Sequence, residues 1–489
     1  MKNINSKRVF KRNKQEVNAS GEYVLYWMQI NRRFHYNFAL EYAVAWANKL
    51  GKPLLIYEGL SCDYPWRTER SHWFNMQGMQ AHQDAADEKG LNYYCFLEEE
   101  AGEYPALFQE LAKKSALIIT DEYPVFIMKE RNERIPAEVD VPYITVDANG
   151  IIPLGVSDSA PYSAYIFRKT MQKYFLECFE QPPKEHPLEE LEHTGAVSLP
   201  EAITQTYPDA RTAGRFSREW LAGIDVDHSV KPLDMDGSRE GGLQRLEQFL
   251  DFDLKAYGDE RNHPDKESTS RLSPWLHFGK LSEYEIVMHA LRRQPRDWSR
   301  SEITPQKGKR DGFFGGDPSI EGFLDEVITW REVGFHFAHH VPDYDSFDSL
   351  PDWAKKTLME HEGDERPYVY SYEEFANART HDDIWNAAQR QLVRDGRIHN
   401  YLRMLWGKKV LEWTPDVRTA IEYLIKLNNT YAIDGRDPNS YSGIFWIFGR
   451  FDRAWGPERK IYGKVRYMTS KSTRSKVRLK EYLAKYASM

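Results

Sequence analysis

Five short apolar runs in the first third of the chain, several separated by helical segments, constrain the fold most. Residues 23–27, 53–57, 93–97, 116–120 and 141–146 are each long enough for one strand. A helix is predicted over 38–50, ended by Gly51. Short apolar strands joined by helical crossovers predict a doubly wound parallel sheet. Ligands on such sheets lie beyond the strand C-termini, so residues 28–33 and 120–123 are candidate site loops.

The texture then changes. Residues 156–240, with Pro182, Pro183, Pro187 and a Glu-rich run, read as an inter-domain linker with some helix. Beyond Gly241, Leu243, Leu246, Phe249, Leu250 and Leu254 recur at helical spacing. The expected order is a flexible tail over 1–22, an α/β domain over 23–155, the linker, and a larger all-α domain over 241–489. Residues 306–317, rich in lysine and glycine, read as an exposed loop.

Composition excludes several classes. With 41% hydrophobic and 29% charged residues the chain is an ordinary soluble type, and no apolar run could span a membrane. The 3 cysteines show no disulfide or zinc spacing, which fits a reducing cytoplasm. A net charge of −8 means that any nucleic-acid surface must be local. The aromatic load is high, with 14 Trp, 29 Tyr and 24 Phe. Most of these rings are core by default; the remainder could stack on a ligand or carry electrons.

Four segments carry candidate chemistry. In the first, Tyr257 precedes Thr269, Ser270, Arg271, Leu272 and Ser273; Ser273 is a good N-cap before Pro274, and the hydroxyls and arginine suit an anion. Ser282 with Glu285 forms an expected capping box. In the second, Glu326 and Trp330 lie four apart and share a helix face, a carboxylate beside a ring. In the third, Arg403, Trp406, Val410 and Trp413 form one helical stripe, with Trp385 on the preceding helix. An arginine in such a stripe requires a counter-charge, and Asp434 is the expected partner. In the fourth, Trp446 and Trp455 flank Arg450 and Arg453, followed by a basic stretch from Arg459 whose only acid is Glu481. Basic residues interleaved with Tyr462 and Tyr467 suit a phosphate backbone.

Together these segments resemble the photolyase/cryptochrome flavoproteins, most closely the class II cyclobutane pyrimidine dimer (CPD) DNA photolyases. The runs are YGDERNHPDKESTSRLSPWLHFG, FLDEVITWREV, THDDIWNAAQ, IHNYLRMLWGKKVLEW, NNTYAIDGRDPNSYSGIFW and DRAWGPERKIYGKVRYM, in the family's order. The resemblance implies a Rossmann-like α/β antenna domain and a helical domain binding FAD, active as FADH⁻. Tyr257, Thr269, Ser270, Arg271, Leu272 and Ser273 match the phosphate region, Asn428 the position near flavin N5, and Arg403 with Asp434 the ion pair beside the ring. Arg436 stands in the same cofactor loop as Asp434. Trp385, Trp406 and Trp413 match the photoreduction chain, and Glu326 and Met404 match residues that touch the dimer. Trp330, Trp446 and Trp455 match rings around a flipped lesion, and Arg450, Arg453, Lys464 and Arg466 are expected at the DNA.

The implied activity is light-driven DNA repair by a deoxyribodipyrimidine photo-lyase, a monomer on UV-damaged DNA in a prokaryotic cytoplasm. Two other readings stay open: a cryptochrome-like photoreceptor, and repair of (6-4) photoproducts. Asn400 and Met404 favour CPD over (6-4) lesions, whose enzymes carry histidines there. Class II members usually carry a small residue at the position of Asn400, and the Trp446–Trp455 segment is one residue shorter than theirs. A second, antenna chromophore is left open between a deazaflavin, a folate and none.

Overall fold

In the computed structural model, which describes residues 4–488, six strands form one sheet: β1 (Val9–Lys11), β2 (Tyr23–Met28), β3 (Leu54–Leu60), β4 (Tyr93–Leu97), β5 (Ser115–Asp121) and β6 (Tyr143–Val146). Their order is β1-β6-β5-β2-β3-β4. All neighbours are parallel except β1, which runs antiparallel to β6. Strand β2 is buried along its whole length. Its Val24, Tyr26 and Met28 enter one core and its Tyr23, Leu25 and Trp27 another, so helices cover both faces. The first crossover helix is Phe38–Leu50: Asn37 caps it through the backbone N–H groups of Ala39 and Leu40, and Gly51, at φ 62°, ends it.

The chain moves from β2 through β3 to β4 on one side, then returns to place β5 on the other. The switch point therefore lies beside β2. The two expected site loops meet there, but they are tied to each other. A carboxylate oxygen of the fully buried Asp121 accepts the backbone N–H groups of Gln29 (2.9 Å), Ile30 (2.9 Å) and Asn31 (3.0 Å). The other oxygen accepts the Tyr26 hydroxyl at 2.9 Å.

Two compact units emerge. One takes in the chain up to Ser157 with Tyr174–Leu246 and Leu272–Arg292; the other takes in Asp158–Lys173, Glu247–Arg271 and the chain from Arg293. The units do not follow the expected order of a domain over 23–155, a linker over 156–240 and a domain over 241–489, because each recruits three separate segments. The expected tail is also corrected from Ile4 onward; residues 1–3 lie outside the described residues. Strand β1 adds to the sheet, and the buried Arg8 donates to the carbonyls of Asp147 and Gly150 at 3.2 and 3.0 Å. The expected linker is no spacer either. Ala210 N–H donates to the Cys95 carbonyl at 2.9 Å, and Cys95 N–H to the Asp209 carboxylate at 3.1 Å, so this segment covers the free edge of β4.

Two expected caps are absent. Leu272 is already helical, so Ser273 becomes the first residue of the short helix Ser273–His277; it is exposed and caps nothing. Ser282 stands at an N-cap without a side-chain bond, and the Glu285 carboxylate pairs with Arg239 rather than closing a capping box. The second unit is helical, as expected, and holds the remaining candidate residues.

Candidate functional site

The helical stretch from Pro318 to His340 changes pitch where the candidate residues lie. Its middle segment, Asp325–Trp330, is π-helical, flanked by the α-helices Pro318–Leu324 and Arg331–His340. Such wide turns leave backbone groups less well paired and recur at functional sites. Here the turn is pinned from outside: Arg168 forks onto Asp325 with Nε–Oδ1 2.8 Å and Nη2–Oδ2 2.9 Å, both side chains buried. The next residue, Glu326, is half-buried and accepts from Arg261 Nη1 at 2.6 Å through Oε1. Arg261 also reaches the Tyr257 hydroxyl at 3.4 Å. Burial pushes the Glu326 carboxyl above its ordinary range, although Arg261 draws it back. Burial likewise pushes the Tyr257 phenol up to about 12.

Trp330, at the end of the π-turn, stacks on Trp446 of the helix Pro438–Ile447, with centroids 4.7 Å apart and planes 23° from parallel. Both rings are half-exposed. They form one aromatic wall in mutual contact, with no space for a further ring between them.

The helix Asn400–Trp413 carries Arg403, Met404, Trp406 and Trp413. Trp406 lies parallel to Trp385, with centroids 6.4 Å apart and a 9° tilt, and Trp385 meets Trp413 at 6.3 Å and 64°. All three rings are enclosed, at 0–2% exposure. Their indole N–H groups are directed: Trp385 donates to the Trp406 carbonyl and Trp406 to the Gln389 amide oxygen, each at 2.9 Å. Three oxidisable rings in sequential near contact can hand on an electron.

Arg403 and Asp434 form no ion pair, which corrects the expected partnership. Both are half-buried and keep enough solvent to relax the demand for a counter-charge. No hydrogen bond of either side chain to protein occurs among the described residues. The buried Asn428 donates its amide to Asn429 at 3.2 Å. Asn429 in turn accepts the Arg436 N–H at 2.9 Å and donates to the Tyr441 hydroxyl at 3.2 Å, which fixes the turn containing Asp434 and Arg436. Met404, Thr269, Ser270 and Arg271 are half-buried. Arg271 adopts φ 56°, is ion-paired to Glu267, and keeps a buried Nε with no partner.

The basic residues divide. Arg450 turns inward, donating to the Ser349 carbonyl at 2.7 Å with its guanidinium over Phe337. Asp452 organises the next turn: it accepts Arg466 Nε at 2.9 Å and the Trp455 indole N–H at 3.0 Å. The guanidinium groups of Arg466 and Arg453 lie 4.4 and 4.8 Å from the Trp455 ring centre. Lys464 is exposed and paired with Glu458 at 3.1 Å. Further on, Arg474 pairs with Asp383 and Lys485 with Glu267, so part of the basic stretch is spent within its own unit.

No family model matches the chain. A deoxyribodipyrimidine photo-lyase from Methanothermobacter thermautotrophicus, however, is 35% identical over 481 residues, 98% of each chain. The chain belongs to the deoxyribodipyrimidine photo-lyase family. The photo-lyase from Potorous tridactylus is 31% identical, covering 94% of this chain and 80% of its own. Among solved structures, a class III photolyase from Agrobacterium tumefaciens has a TM-score of 0.62 at 17% identity, covering 95% of this chain and 86% of that one. An archaeal photolyase from Sulfolobus tokodaii, described with two FAD molecules, has a TM-score of 0.61 at 17% identity, covering 95% and 89%. These two structures share the photolyase fold.

Three groups of this photolyase site escaped sequence reasoning. Arg261 had a usable signal, because it stands one helical turn after Tyr257. Asn429 is masked by its neighbour Asn428. Arg168 lies 157 positions from Asp325, so only the fold reveals their pairing.

Proposed function

We propose that this photolyase splits cyclobutane pyrimidine dimers in UV-damaged DNA, as a class II enzyme with FAD as its cofactor. The carrying observation is the enclosed row Trp406, Trp385 and Trp413 on and beside the helix that bears Arg403 and Met404. The polar groups nearby fit a flavin: an uncommitted cation and carboxylate at Arg403 and Asp434, and a buried Arg271 Nε with unused donor capacity. Tyr257, Thr269, Ser270 and Arg271 would hold its phosphate region, and Asn428 and Arg436 its ring side. Bound and reduced, FAD supplies on illumination the electron that opens the cyclobutane ring.

The protein's share is positioning. A dimer must leave the helix stack, at a cost of a few kcal/mol that is lower for damaged sites. The Trp330–Trp446 wall returns stacking, about 1–3 kcal/mol per base, and Trp455 would add a further ring. Met404 contributes an adaptable apolar contact. Arg261 holds Oε1 of Glu326, which leaves Oε2 for the pyrimidine edge. Burial favours a proton there, so Glu326 is suited to donate to a base carbonyl as negative charge develops on it. The three tryptophans pass an electron inward and maintain the reduced state. Arg453, Lys464 and Arg466 follow the phosphate backbone.

No helix is long and apolar enough to cross a membrane among the described residues, and the proposed setting is the cytoplasm, on DNA, as a monomer. The test illuminates reduced protein with oligonucleotides carrying either a CPD or a (6-4) photoproduct. Restoration of the CPD strand alone is expected; restoration of neither rejects repair, and restoration of only the (6-4) strand rejects the lesion assignment.

A further inference from the structure

The lysine- and glycine-rich loop takes no part in the site described so far, yet it is built with care. Gln172, itself buried, grips its backbone three times: it accepts the N–H groups of Gln306 (3.0 Å) and Gly308 (2.8 Å) and donates to the Lys309 carbonyl (2.9 Å). Gly308 is required there, since a Cβ would stand 2.6 Å from Lys169 Cγ at a φ of +85°. Downstream, Glu321 accepts the N–H groups of Phe313 (2.6 Å) and Phe314 (3.1 Å), both rings buried. The backbone is thus anchored over 306–309 and at 313–314, while the side chains of Lys307, Lys309 and Arg310 are exposed.

Their location matters. The Arg310 guanidinium lies 3.9 Å from the place a Cβ on Gly322 would occupy. Gly322 is four positions before Glu326, so Arg310 stands over the helix surface leading to the π-turn. Its charge also draws the Glu326 carboxyl downward, against burial. Asp311 lies 3.4 Å from Arg310, but both are solvent-exposed and the pair is weak. Lys169 adds a fourth cation, over the half-exposed Tyr165 ring at 4.5 Å. Cations held on a fixed backbone with an aromatic among them match a sugar-phosphate chain, not a core function.

We propose that the loop 304–311 is a second DNA-backbone contact of this photolyase, in which Lys307, Lys309 and Arg310 hold phosphates of the lesion-bearing duplex beside the Glu326 turn. This rests on the reading that the protein acts on damaged DNA.

The experiment measures binding of a CPD-containing duplex across a range of salt concentrations for wild type and for Lys307→Ala/Lys309→Ala/Arg310→Ala. Each phosphate contact contributes about 0.9 to the slope of log affinity against log salt, so the slope should fall by about two or more, with affinity about tenfold weaker at 0.1 M salt. A comparison variant, Lys14→Ala/Lys113→Ala/Lys231→Ala, removes equal charge from exposed positions in the other unit and should leave the slope near wild type. A slope change below one for the loop variant, or an equal drop in the comparison variant, overturns the proposal. Wild type that neither prefers nor repairs the CPD duplex would instead reject the underlying functional reading.

Discussion

At the residue scale, Glu326 shows how one neighbour tunes a side chain. Its Oε1 is committed to Arg261, while burial raises its affinity for a proton. Glu326→Gln should therefore lower repair per bound lesion about tenfold, about 1.4 kcal/mol, and change lesion affinity little. Single-turnover repair yield against binding checks this; the reverse pattern would assign Glu326 to binding alone. Trp406 makes a different demand. Its ring is the member of the tryptophan row that shares a helix turn with Arg403, and its N–H is satisfied by Gln389. Trp406→Phe should reduce the rate of flavin photoreduction at least about tenfold while chemically reduced protein still repairs, since each tenfold reflects about 1.4 kcal/mol of barrier. Transient absorption would reveal the change, and unaltered kinetics would remove Trp406 from the path.

At the scale of elements, local rules and tertiary demands part company in identifiable places. The helix Phe38–Leu50 follows its capping signals from Asn37 to Gly51, because all of those signals are local. Ser273 and Ser282 carry equally good signals and cap nothing: the first helix starts at Ser273 itself with Leu272 at the cap, and Glu285 pairs with Arg239 instead of closing a box with Ser282. The five apolar runs all become strands, with 93–97 matched at both ends and no end elsewhere shifted by more than three residues. Strand β1 was not legible, because Val9–Lys11 is short and basic and gains strand form only from its partner β6. Asp121 is the feature that fixes the sheet's switch point. Asp121→Ala would leave three buried backbone N–H groups without an acceptor and should cost about 4 kcal/mol. Chemical denaturation would register the loss; a change under 1 kcal/mol would mean that the loops re-pair without it.

Over the whole molecule, a net charge of −8 coexists with a basic C-terminal stretch that the fold partly neutralises. Glu267 is the clearest case. Burial alone would raise its carboxyl, but hydrogen bonds from Lys485 and Arg271 hold it down at about 2. Its folded value lies below the ordinary 4.5, so the stabilisation is present at neutral pH and is lost as pH falls through about 2. Melting temperatures of wild type and Glu267→Gln should thus differ at pH 7 and converge in strong acid. A constant difference across that range would show that the pairing adds nothing to stability.

What the sequence determined alone were the properties carried by neighbours in the chain: a parallel α/β sheet followed by helices, the Trp406–Trp413 stripe, and the ordered runs that identify the family. Periodicity and turn chemistry act over a few residues and survive any packing. What only the tertiary structure decided were the properties that need distant partners: Arg168 beneath the Glu326 turn, Arg261 on its carboxylate, Arg403 left without Asp434, and the division into units built from three segments each. Charge pairing and burial depend on distances in space, and separation along a chain does not set those distances until the chain has folded.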